Sequence, residues 1–260
     1  MRRDDAGPET LEGPGLRLQV SLVPWDTRAL GFPAAQIDAI ELHPQEDPSP
    51  TIDRLTAWLD ERGVGFVSCR LDSLRLRESM LLEELGFRFV EMVYSPVLTL
   101  LGPERAADDE LVVETAREED RATLEEIASS VFTTGRHVLD WRLDGSAGHD
   151  RYRNWLDGAL ADDDQEVLQA SIGDAIVGFF IAESRPDDSV YWHLTAVAAE
   201  WQGRGVGKRV WRAVIARHQA AGARRIETTI SAHNTAVVNL YAGLGFRFTA
   251  PRATFHWLRR

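Results

Sequence analysis

The chain has 260 residues, 44% of them hydrophobic and 27% charged, with a formal net charge of −12. That length suits one large domain or two small ones, and the acidic balance excludes a dedicated nucleic-acid binder, which needs a strong basic face, though not a small basic pocket for an anion. A single cysteine, Cys69, excludes an internal disulfide framework and any multi-cysteine metal site, and the seven histidines form no H-x-x-x-H pair, so no metal is expected.

The opening stretch, residues 1–15, is polar and rich in Gly and Pro, and is expected to be a disordered tail. It has two arginines but no apolar core after them, and no apolar run of membrane length follows, so the expectation is a soluble cytoplasmic protein without a membrane partner. Residues 16–100 form the first expected domain. From Gly63 it reads GVGFVSCRLDSLRLRESMLLEELGFRF: a short apolar strand, a polar turn, then a helix. LGPERAADDE (101–110) is polar, contains Pro and Gly, and is the best linker candidate.

The second expected domain covers 111–260. It opens with a strand at 111–116, a turn at 117–120 and a helix carrying Leu124, Ile127 and Val131 at helical spacing. Residues 150–160 read as a helix. EVLQASIGDAIVGFFIAES (166–184) reads as two strands around a Gly-Asp turn, the strongest hairpin signal in the chain. SVYWHLTAVA (189–198) alternates, with Val190, Trp192, Leu194 and Ala196 on one expected face and Tyr191, His193, Thr195 and Val197 on the other. After QGRGVG (202–207) a helix begins with Val206, Val210 and Val214 on one stripe. From Gly222 the chain reads GARRIETTISAHNTAVVNLYAGLGFRF, matched in length and ending to the segment from Gly63, with LGFRF closing both. The shared order points to two related modules at an offset of 159 residues, each an α/β or α+β arrangement with a mixed sheet.

The glycine-rich turn between a strand and a helix has a simple capacity. Glycines bring backbone close to a ligand, and the first amides of a helix lack internal partners, so the turn can bind an anion such as a pyrophosphate, with Arg204 and Lys208 adding charge. A plain helix-capping turn is the competing reading. It is neither the Rossmann fingerprint nor a Walker loop.

Gln202–Gly203–Arg204–Gly205–Val206–Gly207 resembles the acyl-CoA pyrophosphate loop of the GCN5-related N-acetyltransferases (GNAT). LTAVAAEWQ before it is similar to that family's fourth strand, and NTAVVNLYAGLGF after it to its last signature. Within the family, the chain resembles sugar-nucleotide acetyltransferases of the TDP-fucosamine type. PWDTRALGFP (24–33) resembles their N-terminal stretch, and GRHVLDWRLD with DRYRNWL (135–156) their variable substrate segment. The resemblance implies a complete C-terminal GNAT copy after a truncated N-terminal one. The first copy has no Q-x-x-G-x-G, and Arg75 and Leu82 stand where the second has Asn234 and Tyr241.

The same resemblance implies roles. Acetyl-CoA is the co-substrate and a small-molecule primary amine the acceptor, with an amino-sugar nucleotide as the family's guess. Thr195, Ala196 and Val197 line the pantetheine arm with their backbone, residues 202–208 hold the pyrophosphate, and Asn234 lies nearby. Tyr241 is the general acid or a core tyrosine; Asn234 is also a natural N-cap. His193 is the base or a satisfied sheet histidine. Arg136 and His137 face an anionic substrate or solvent, and Trp141, Tyr152 and Trp155 line a pocket or the core. Other readings are a non-catalytic acyl-CoA sensor, or transfer to an antibiotic, an amino acid or a protein N-terminus, or from aminoacyl-tRNA. Two copies in one chain can mimic a dimer or join a second chain, so a homodimer stays open.

Overall fold

The computed structural model describes residues 7–43, 45–100, 110–133 and 135–259. In chain order the elements are β1 (Glu9–Glu12), β2 (Leu16–Leu22), α1 (Pro24–Leu30), β3 (Ala34–Leu42), α2 (Ser49–Glu61), β4 (Phe66–Asp72), α3 (Leu76–Glu84), β5 (Arg88–Tyr94), β6 (Val97–Thr99), β7 (Leu111–Thr115), α4 (Arg121–Val131), α5 (Arg136–Leu139) and α6 (Gly145–Leu160). They continue with β8 (Glu166–Ile172), β9 (Ala175–Ser184), β10 (Ser189–Val197), α7 (Val206–Ala220), β11 (Arg225–Thr228), β12 (Ile230–Ser231), α8 (Thr235–Leu244) and β13 (Arg252–Leu258). No described helix is long and apolar enough to cross a membrane.

The chain divides into two compact units. Of the described residues, one comprises those in Tyr94–Gly135 and Tyr152–Thr249; the other comprises those up to Val93 together with those in Arg136–Arg151 and from Ala250 on. The division departs from the expected boundaries at 100 and 111. Strand β6 is built into the first unit's sheet by pairing with β11, and β13 into the second's by pairing with β4 and β5. The expected linker at 101–109 lies outside the described residues. The expected tail also needs correction: Glu9–Glu12 forms β1, paired antiparallel with β2. Its polar side chains are exposed while Leu11 is buried, the pattern of an edge strand with one dry face.

The unit containing residues 94–135 and 152–249 has a mixed sheet in the order β6-β11-β10-β9-β8-β7. Only β10 and β11 run parallel. The run Ile176–Ala182 of β9 is apolar except for Gly178 because both faces of the sheet are covered. Phe180 joins Trp192, Val210, Trp211, Val214 and Tyr241 on one side, whereas Phe179 and Ile181 join Leu124, Ile127 and Leu156 on the other. The Gly-Asp turn joins β8 to β9 with Gly173 at φ +58°, which a side chain would resist.

The other unit pairs its strands in the order β1-β2-β3-β4-β13-β5, with β3 and β4 parallel. One face is apolar: Leu18, Val20, Ile37, Val67, Cys69, Leu71 and Phe255 pack with Leu55, Trp58, Leu81 and Leu82 of α2 and α3. The alternate positions mix apolar with polar groups: Ser68, Glu91, Thr254 and His256 are all buried there beside Phe66.

The two LGFRF segments do the same local work. Gly86 and Gly245 both follow a helix at positive φ, +87° and +93°, and the next residues, Phe87 and Phe246, are both buried. Gly63 and Gly222 also take positive φ ahead of β4 and β11. Arg75 and Asn234 occupy the N-cap positions of α3 and α8, and Leu82 and Tyr241 are each fully buried.

Candidate functional site

The parallel pairing of β10 with β11 runs only from Ser189↔Arg225 to Trp192↔Thr228. Beyond Trp192, β10 keeps its antiparallel partner β9 as far as Val197↔Gly178. Residues 193–197 therefore present one backbone edge without a strand partner among the described residues. Backbone amides and carbonyls on such an edge must find partners elsewhere, which makes it a receptor for an extended amide-bearing chain.

A bulge marks the start of this stretch, since Trp192 pairs with Ala182 but Leu194 already with Ile181. His193 is the extra residue, and it reverses the alternation. Val190 and Trp192 pack in one apolar cluster, Leu194 and Ala196 in the opposite one. The expected single face is thus divided. Thr195 turns toward Tyr241, while His193 stays with Tyr191 and Trp155. Bulges re-aim side chains in this way.

The open edge leads directly into the glycine turn. The Gln202 side chain donates from Nε2 to the Val197 carbonyl at 2.9 Å and ties the turn to the strand end. Gly203 and Gly205 sit at φ +72° and +80°. Gly205 is the N-cap of α7 and, having no side chain, leaves the first amides of the helix uncapped. Gly207 would place a Cβ 3.9 Å from the Leu240 and Val197 side chains, so it is an ordinary packing position. Val206 is buried and anchors the helix, while Arg204 and Lys208 are exposed. Among the described residues neither cation has an ion-pair partner. Uncapped amides, the positive helix end and two free cations together suit a polyanion.

On the other side of the edge, α8 begins at Asn234, whose Oδ1 accepts from the Val237 amide at 3.2 Å, so the N-cap role is real. Tyr241, two turns on, is fully buried. Its ring lies 4.6 Å from that of Phe246, and Thr195, Thr228 and Trp211 surround its hydroxyl. Burial pushes the phenol pKa up, so the hydroxyl keeps its proton at neutral pH. Thr228 also donates to the Trp192 carbonyl at 2.9 Å, at the point where the strands part.

His193 holds a short contact, Nε2 to Glu183 Oε2 at 2.7 Å, and is half-buried. Burial lowers its pKa, Glu183 opposing, so the ring is neutral near pH 7.

The expected substrate residues fall in two units. Arg136 and His137 belong to the unit with β13, where they serve a fully buried carboxylate. Asp26 lies 2.8 Å from Arg136, 2.9 Å from Arg151 and 3.5 Å from His137. A buried charge needs such partners, so Arg136 and His137 are committed within the protein rather than offered to an anion. Burial drives His137 down to about 3, which leaves it neutral. Nearby, Asp140 receives a bidentate Arg142, 2.8 Å at each bond, and His256 Nδ1 at 2.9 Å. Trp141 is 88% exposed and lines nothing. Tyr152 and Trp155 lie in the unit with the open edge, Tyr152 stacked on Phe132 at 4.4 Å and Trp155 edge-on to His193 at 6.1 Å. Glu183 and Gly178 carry no sequence signal; the pairing of β9 with β10 sets the first beside His193 and the second opposite Val197.

No group of three or more His, Cys, Asp or Glu residues among those described could hold a metal ion. Residues 124–246 match the model of the family described as Acetyltransferase (GNAT) family. An 83-residue stretch is 36% identical to the L-2,4-diaminobutyric acid acetyltransferase of Methylotuvimicrobium alcaliphilum, covering 31% of this chain and 48% of that protein. The match thus spans about half of that relative's length. Among solved structures, a GCN5-related N-acetyltransferase from Sphaerobacter thermophilus superimposes with a TM-score of 0.66 at 16% identity, covering 95% of this chain and 81% of the other. A tandem GNAT protein from the clavulanic acid biosynthesis pathway gives 0.61 at 14% identity, covering 94% and 79%. At such identities these likenesses speak for the fold alone.

Proposed function

We propose that this chain, whose residues 124–246 match the GNAT acetyltransferase family model, is a member of that family and transfers the acetyl group of acetyl-CoA to the primary amine of a small molecule. The observation that carries the reading is the open edge of β10, which runs into an uncapped helix start beside Arg204 and Lys208. Pantetheine amides pair with the backbone of Thr195, Ala196 and Val197. The pyrophosphate rests on the amides of 203–208, with Gln202 fixing the turn and Asn234 beside it. The remaining unit, with its shorter series of elements before α2, is read as a truncated copy of the same fold.

Both substrates are bound together, so the amine attacks the thioester directly and no covalent enzyme intermediate forms. His193 takes a proton from the amine nitrogen as the N–C bond forms. A strand amide near Val197 stabilises the carbonyl oxygen. The C–S bond breaks, and Tyr241, still protonated, gives its proton to the thiolate. Cys69 is not a nucleophile: it is buried, and burial pushes its thiol up to about 12.

For the acceptor, the sequence resemblance suggests an amino-sugar nucleotide, and the partial relative suggests a small diamino acid. The engagement of Arg136 and His137 with Asp26 weakens the argument from these two residues for a nucleotide diphosphate. The test is CoA release, read with a thiol reagent, over a panel of TDP-amino sugars, diamino acids and aminoglycosides. Release with one amine class, by intersecting initial-rate lines, supports the reading. Parallel lines would contradict direct transfer. Acetyl-CoA bound without release on any amine would leave an acyl-CoA sensor.

A further inference from the structure

We propose that Glu183 is a positioning residue that fixes the tautomer of His193, so that Nδ1 is the atom that receives the proton. This rests on the reading of His193 as the base. The argument begins with the contact itself: Nε2 of His193 lies 2.7 Å from Oε2 of Glu183. An ionised carboxylate can only accept, so Nε2 must carry the hydrogen and Nδ1 the lone pair. A neutral imidazole held in one tautomer is a base with one defined acceptor atom.

The surroundings hold this geometry from several sides. Glu183 is near the end of β9 and His193 is the extra residue of the β10 bulge, so the pair joins neighbouring strands just where β11 departs. Arg185 lies 3.5 Å from the other oxygen of Glu183, 3.3 Å from Glu227, and 4.6 Å over the Tyr191 ring. That ring in turn lies 4.8 Å from His193. The Tyr191 hydroxyl is fixed by Thr229 at 2.8 Å, and the Trp155 ring lies edge-on to His193 at 6.1 Å. Among the described residues, the charged and titratable groups facing the dyad are Arg185 on the chain leaving β9, Tyr191 on β10, and Glu227 on β11, itself paired with Arg225.

When the ring is protonated, Glu183 stabilises the imidazolium. Without the carboxylate, that support is lost and an amide at the same place can donate to Nε2, moving the hydrogen to Nδ1. The base atom is then blocked although every residue of the site is present.

The experiment uses the full chain, labelled with 15N at histidine, as wild type, Glu183→Gln and His193→Gln. Long-range 15N–1H spectra read the tautomer independently of activity. Expected are Nε2–H in the wild type, loss of that single tautomer in Glu183→Gln, and a fall in kcat of about 10- to 100-fold with the acetyl-CoA KM unchanged. The acid limb of kcat/KM moves to lower pH in Glu183→Gln, because His193 loses its stabilising partner; a merely structural role would not move it. An Nδ1–H signal in the wild type, or an unchanged tautomer in Glu183→Gln, overturns the proposal. Full activity of Glu183→Gln beside an inactive His193→Gln overturns it while leaving the base in place. Full activity of His193→Gln removes the base reading and with it the catalytic part of the proposal.

Discussion

Gly178 is the most informative single position for the open edge. It sits on β9 opposite Val197, and a Cβ built there would lie 2.4 Å from the Ala196 carbonyl oxygen and 3.3 Å from the Val197 Cα. Both neighbours are backbone, so no rotamer can relieve the overlap. A tolerable separation is at least 3.0 Å, so Gly178→Ala must move the strand end by about 0.6 Å or more. Overpacking of this kind costs about 1–3 kcal/mol of stability. The movement falls on residues 196–197, whose backbone we propose pairs with the acyl-CoA, and it carries Gln202 and the glycine turn with it through the 2.9 Å bond. Misplacement on the order of 1 Å at reacting groups can cost ~10²-fold in rate. We expect kcat/KM for acetyl-CoA to fall at least tenfold, read by CoA release, in a protein whose circular dichroism is native. Wild-type kcat/KM with wild-type thermal stability would refute the reasoning, because the strand end would then be neither crowded by Gly178 nor used by the cofactor arm.

Other perturbations separate the parts of the account. Asp26→Asn removes a buried charge that Arg136 and Arg151 require, and is expected to cost about 3–5 kcal/mol in urea unfolding at neutral pH. Burial alone would raise the Asp26 pKa, but the two arginines and His137 hold it well below the usual range. Its contribution is therefore full above the unfolded value of about 3.9 and lost as the pH falls below it, and the variant should lack that acid-side decline. Reversing Arg204 and Lys208 to Glu should weaken acetyl-CoA binding and flatten its dependence on salt, measured by titration at two ionic strengths; unchanged affinity would remove both from the site. Tyr241→Phe keeps the packed ring and should lower kcat about 100-fold or more with little change in acetyl-CoA binding, read by single-turnover kinetics.

What the sequence made legible was local. The Gly-Asp hairpin, the valine stripe of α7, the Asn234 cap and the positive-φ glycines closing each repeat all follow from neighbouring residues. Distant partners were not legible. Asp26 meets Arg136 across 110 positions, so the arginine looked free in the sequence and is committed in the fold. Strand β13 reads as the end of the second module yet pairs with β4, nearly 190 residues earlier. The bulge at His193 is invisible to alternation counting, because one inserted residue reverses every face after it. Glu183 could have been found only through the pairing of β9 with β10, since nothing in EVLQASIGDAIVGFFIAES distinguishes it from a surface carboxylate.

The most direct test of the central claim is calorimetric titration of acetyl-CoA into the wild-type chain and into Gly205→Glu. The variant places a side chain and a negative charge on a positive-φ N-cap, at the start of α7 where the pyrophosphate is assigned. Saturable one-site binding to the wild type, abolished or weakened at least tenfold in a folded variant, is the predicted result. Equal affinity of the two proteins, or no binding to the wild type, would contradict the assignment of the glycine turn and the open edge of β10 to an acyl-CoA.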